Sequence, residues 1–210
     1  EHERITRAAL ACPAGVPSDG TCFEPLSIDS LAGRGLNFGA VGAPDIPPPE
    51  KAAAHCDEGD FLDAVIFPRV KRYPRTRATA DADLIACRTF LRKRFNQGLR
   101  AAPDLLDDRG RISASDVDLS GSTCTFLGQL SGRGKCDVYD GFGRTLHGVQ
   151  DFYSHSNWSD ARVSGTAVTD RTPPGLARRA IAPLMDFRRA GNPPIPARLL
   201  TGCFSKHEVY

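Results

Sequence analysis

No apolar run in this 210-residue chain approaches the roughly 20 residues that a bilayer-crossing helix needs, so no transmembrane helix is expected. Charge of one sign is also missing: 27 basic against 25 acidic side chains leave a formal net charge of +2. That balance points neither to a polyanion binder nor to a disordered chain. No Cys-x-x-Cys pair occurs, which argues against a cysteine-held zinc cluster. A Gly-x-Ser-x-Gly elbow is absent too, so Ser154 and Ser156 beside His155 make a poor case for a serine hydrolase. Gly33, Gly35, Gly39 and Gly42 form a glycine-rich stretch with neither dinucleotide nor P-loop spacing, and an ordinary turn-rich connection is expected there. Internal repeats and low-complexity blocks are lacking. The chain starts at Glu1 without an initiator Met or a signal-like segment, from which removal of the natural start is expected.

Cysteine, by contrast, is plentiful. Seven in a chain of this size, grouped locally, imply an oxidising destination and hence a secreted protein. Pairing nearest neighbours joins Cys12 to Cys22, Cys56 to Cys87 and Cys124 to Cys136. Cys203 is left over; a partner beyond Tyr210 would explain it, and a buried free thiol or an intermolecular bond is the alternative. The length suits one domain spanning residues 1–210.

The expected class is mainly α, with long loops and few, short strands. A short helix runs from Glu1 to Leu10 with His2 at its start, and a second from Ser27 to Gly33. The Pro47-Pro48-Pro49 stretch stiffens a loop that carries Asp45, His55, Asp57, Glu58 and Asp60. Phe67 to Arg77 is the most basic run, and a solvated loop is preferred there over a phosphate-binding patch. A long helix is expected from about Asp81 to Leu106, on the apolar stripe Leu84, Cys87, Leu91, Phe95 and Leu99. Another covers roughly Gly143 to Asn157, and a further helical segment Leu176 to Phe187. Asn157-Trp158-Ser159 fits a glycosylation sequon, but a local structural role is preferred.

The segment Leu146 to Trp158 carries the most chemistry. Drawn as a helix, it places His147, Asp151 and His155 on successive turns, each step of four residues turning about 40° past a full revolution. Leu146, Val149, Phe152 and Trp158 cover the other face and would seat the polar row in a core. Spacing alone leaves two readings open, a metal site or a buried helix whose histidines only satisfy hydrogen bonds.

With these motifs assembled, the chain resembles the zinc-dependent phospholipase C and P1 nuclease superfamily, and is most similar to its HET-C-like branch. The resemblance rests on Glu1-His2 to Ile5-Thr6, on Phe38-Gly39 through Pro44-Asp45 with His55-x-Asp57, and on Leu146-His147 through Asp151 to Trp158. It implies a helical fold around one to three zinc ions. Asp45, His55, His147 and Asp151 would hold the first ion, His2 with Asp151 a second, and His155 would contribute to a third. The residues themselves do not select Asp45 over Asp57. Glu1 stands where the superfamily has a Trp, and no His-x-x-x-Glu pair follows Trp158 to complete the third ion.

The function so implied is a secreted, metal-dependent phosphoester hydrolase of phospholipase C type. A zinc-activated water would attack phosphorus, Asp151 would bridge two ions, and Asp45 would be a ligand or the base. A phospholipid head group is the first expected substrate; a nuclease-like phosphodiesterase, acting on nucleic acid, is the second. The alternative is a non-catalytic, metal-stabilised secreted protein of toxin-like or interaction type. An open coordination position would favour catalysis, and a closed four-ligand site structure.

Overall fold

Helix α1 spans His2–Leu10, with Glu3 in its first turn and Arg7 in its last, charges that oppose the helix dipole at each end. Arg7 then reaches α2, Pro25–Ala32, bonding Asp29 at 2.7 Å and the carbonyl of Gly33. Pro25 pre-sets the first turn of α2 and Gly33, at φ 90°, stops it. The structure is a computed structural model that describes residues 1–35, 37–46, 50–61, 74–120, 124–126, 133–161 and 175–202.

After α2 the glycine-rich stretch folds back on itself. A Cβ on Gly33 would lie 2.3 Å from the Asn37 carbonyl oxygen, and one on Gly39 would lie 2.2 Å from the Gly33 nitrogen. These glycines serve a close backbone crossing rather than a phosphate. The plain connection expected here is corrected in part, because Gly39–Gly42 forms a helical turn, α3, that passes into a 3-10 turn at Ala43–Asp45. Burial of Ala40, Val41 and Ala43 together with Pro44 at the start of the 3-10 turn accounts for the helical geometry.

Helix α4, Arg77–Ala101, begins four residues before the expected Asp81 and gives way to a 3-10 turn at Ala102–Leu105, where Pro103 removes a helical donor. Helix α5 is a single turn, Ala114–Val117. Helix α6, Gly134–Ser154, starts nine residues ahead of Gly143 and stops three short of Asn157. Its early start was hidden by Gly141 and Gly143, poor helix formers. Both are packing requirements: a Cβ on Gly141 would sit 2.4 Å from the Gly98 nitrogen, and one on Gly143 would sit 2.4 Å from the Ala40 Cβ.

Competing partners end α6. Asn157 gives its N–H to the Leu200 carbonyl at 3.1 Å and takes the Leu200 N–H on its side-chain oxygen at 2.9 Å, so the chain leaves the helix to pair with residues 198–202. The helix expected over Leu176–Phe187 is corrected for the same kind of reason. Leu176, Ala177 and Arg178 donate their N–H groups to the carbonyls of Asn157, Asp160 and Trp158, and only Pro183–Met185 makes a 3-10 turn. Among the described residues there are isolated bridges but no strands, and the fold is mainly helical.

The chain divides into two compact units, Glu1–Glu50 with Leu91–His147, and Lys51–Phe90 with Gly148–Tyr210, so that α4 and α6 each contribute to both. In the first unit Leu31, Ala40, Ala43, Leu119, Phe126 and Tyr139 form a core on which Phe23, Phe142 and Leu146 pack. Arg144 crosses its edge, bonded to Asp140 at 2.7 Å and to Glu50 at 2.8 Å. In the second unit Phe61, Leu84, Phe152, Leu184 and Leu199 are buried. Disulfides join Cys12 to Cys22 and Cys124 to Cys136 in the first unit, and Cys56 to Cys87 in the second, as nearest-neighbour pairing predicts. Cys203 lies outside the described residues. So does the basic run from Phe67 to Tyr73; of its later arginines, Arg75 pairs with Asp83 at 2.6 Å and Arg77 with Asp60 at 2.8 Å.

Candidate metal centre

In the first unit three sequence-predicted ligands meet. His2 comes from the first turn of α1, Asp45 from the 3-10 turn after α3, and His147 from α6. His147 Nε2 is 3.6 Å from Asp45 Oδ1, and His2 Nε2 is 3.9 Å from Asp45 Oδ2. The two imidazole rings lie 4.2 Å apart between centroids, and one ligand atom from each of the three residues falls within 4.8 Å of the others. The terminal His2, which would ordinarily be solvated, has a side chain only 20% exposed.

The tautomer of His147 is set by the backbone. Its Nδ1 lies 2.9 Å from the Val41 carbonyl oxygen, which can only accept, so Nδ1 carries a proton and Nε2 is the nitrogen turned toward Asp45. The ring is fully buried, whereas the Asp45 side chain is 48% exposed. The centre is therefore rigid at its inner end and open to solvent at its outer one. The Val41 carbonyl thereby fixes the orientation of the His147 ring. No sequence signal announces such a role, since any residue type offers a carbonyl.

The second unit holds His55, Asp57, Asp151 and His155. His55 Nδ1 donates to Asp151 Oδ2 at 3.1 Å, a carboxylate–imidazole pair that orients the ring. His155 is not on α6 as the i, i+4, i+8 spacing implied. It follows the last helical residue, and its N–H closes the final turn on the Asp151 carbonyl at 2.8 Å. Burial raises the Asp57 carboxyl above the usual range and the Asp151 carboxylate pushes the same way, while His155 and His55 pull it down. Glu58 is pushed up to about 7, by burial first and by Asp57 next. Among the described residues, this unit by itself brings no three ligand atoms within 4.8 Å of one another. A cleft of about 410 Å³ beside the loop is lined by Cys56, Glu58, Gly59, Arg75 and Asp83, and none of the four candidate ligands is in its wall.

Two imidazole nitrogens and a carboxylate oxygen suit zinc, which takes nitrogen and oxygen ligands in four-coordinate sites. The first-unit trio offers donors of that chemistry. Compared with family models, with curated proteins and with solved structures, the chain matches none.

Proposed function

We propose that this chain is a metal-dependent phosphoester hydrolase whose zinc is held in the first unit by His2, Asp45 and His147. The observation that carries the reading is the count of ligands: three protein donors from the first unit among the described residues, where a structural zinc site has four. When bound, zinc supplies an acidified water and offsets charge on the phosphate. His147 keeps its geometry through the Val41 carbonyl. Asp45, exposed and within 4 Å of both imidazoles, would ligate through one oxygen and take a proton from the attacking water through the other. His55 and Asp151 form a second donor pair of the same chemistry. A phosphocholine ester is the first substrate to try and a nucleic-acid phosphodiester the second. Three disulfides, and no helix among the described residues long and apolar enough to cross a membrane, are consistent with the secreted location proposed.

The purified protein is expected to hold zinc and to hydrolyse one of these esters, with activity lost on chelation and restored by zinc. His147→Ala should lose an equivalent of zinc and reduce activity by no less than the roughly 10–100-fold that loss of an outer-shell partner costs. Unchanged zinc content in His147→Ala would reject the site. A zinc-replete protein inert to all three of lipid, nucleic-acid and generic phosphodiesters would turn the reading to a non-catalytic, metal-stabilised protein.

A further inference from the structure

We propose that Gly143 is a positioning residue of the centre formed by His2, Asp45 and His147. Its bare Cα lets α3 approach α6 closely enough for the Val41 carbonyl to reach His147 and for Asp45 to face the same ring. What the centre binds rests on the reading above; how it is built rests on packing within the first unit.

One short segment excludes a side chain at this position. A Cβ on Gly143 would lie 2.4 Å from the Ala40 Cβ, 2.6 Å from the Ala40 carbonyl carbon and 2.8 Å from the Val41 nitrogen. The last two are main-chain atoms, which no change of rotamer moves aside. Non-bonded carbons settle at about 3.5–4.0 Å, so α3 and α6 would have to part by about 1 Å or more to admit a methyl group. Nor can α3 adjust freely by itself. Ala40 and Val41 are fully buried, and Gly39 at the start of α3 crosses Gly33 so tightly that its own Cβ would lie 2.2 Å from the Gly33 nitrogen.

The segment that Gly143 touches carries two groups that meet His147. Gly143 stands four residues before His147 in α6, about one turn away and on the same face. Val41, next to Ala40, accepts from His147 Nδ1 at 2.9 Å. Asp45 ends the 3-10 turn that continues α3, with its Oδ1 3.6 Å from His147 Nε2. Parting the two elements by about 1 Å takes the Val41 oxygen out of hydrogen-bond range and draws Asp45 along with it. Gly141 supplies the internal comparison. It lies in the same helix, and a Cβ there would meet the Gly98 nitrogen at the same 2.4 Å, but the clash is with α4. The Val41 carbonyl and Asp45 belong to α3 and its continuation, not to α4.

The test compares Gly143→Ala with Gly141→Ala and wild type. Zinc affinity and the urea midpoint are measured for each, with the ring-nitrogen chemical shifts of His147 in the metal-free protein at a pH above the ordinary imidazole value of about 6.5. Both variants are expected to lower the midpoint. Gly143→Ala alone should weaken zinc binding, by the roughly 10–100-fold that loss of a group orienting a metal-bound imidazole costs, and should lose the Nδ1-protonated signature of the ring. Wild-type zinc affinity in folded Gly143→Ala overturns the proposal. Equal weakening in Gly141→Ala also overturns it, since that marks a general loosening of α6. If Gly143→Ala does not fold, Ala40→Val, which enlarges the facing side of the same contact, is held to the same criteria. If wild type binds no zinc, the proposed function falls, and unchanged His147 ring shifts in Gly143→Ala then overturn this inference as well. Zinc lost in His147→Ala but bound normally by Gly143→Ala removes this inference alone.

Discussion

Asp186 shows at the scale of one residue how a polar group in this chain is held. Its carboxylate takes the Arg188 guanidinium with both oxygens, at 2.7 and 2.9 Å, and the Arg188 backbone N–H at 3.2 Å. Those bonds to Arg188, and then its charge, bring the carboxyl down to about 2. A carboxylate with a depressed folded-state value stabilises the fold above its unfolded value, near 3.9, and that contribution disappears as pH falls through about 2. Asp186→Asn should therefore melt below wild type at pH 6, and the gap should close on titration toward pH 2. A gap that stays constant over that range would show that the asparagine costs shape rather than charge. The same discipline governs His147, where a single backbone acceptor decides which nitrogen faces Asp45.

At the scale of elements, two glycines in α6 reverse the usual expectation for a helix interior. Gly→Ala ordinarily gains about 1 kcal/mol there. A methyl group on Gly141 would meet the Gly98 nitrogen at 2.4 Å and the Arg94 carbonyl oxygen at 2.5 Å, both main-chain atoms of α4 that cannot rotate away. Overpacking costs roughly 1–3 kcal/mol and outweighs the propensity gain, so Gly141→Ala is expected to lower the urea midpoint. A raised midpoint would mean that α4 and α6 have room to part there. These glycines also show what was readable in advance. Apolar periodicity located α1, α2 and the body of α4, and the four-residue spacing placed His147 and Asp151 on one helix. The true start of α6 was not readable, because Gly141 and Gly143 look like breakers until their neighbours are known. Its end was equally hidden, since the atoms that take over from the helix at Asn157 belong to residues 198–202, more than 40 positions away. His155 was misplaced for that reason.

Over the whole molecule, the three disulfides are the part of the plan most directly written in residue spacing. They close separations of 10, 31 and 12 residues. Loop-closure entropy gives each about 3 kcal/mol and gives the longest about 1 kcal/mol more than either short one. Replacing Cys56 and Cys87 together by alanine should accordingly cost the most in chemical unfolding, and peptide mapping without reduction should recover all three pairs. Equal losses for the three double variants would show that something other than chain entropy sets their worth. Asn157, finally, bears on the order of events in biogenesis. Its amide is wholly enclosed, donating to the Arg198 carbonyl at 3.0 Å and accepting from Leu200. An oligosaccharide on that nitrogen and the closed pairing with residues 198–202 exclude one another. In a secretory compartment, glycosyl transfer and folding would therefore compete for the same atom, and the sequon's occupancy would record which came first.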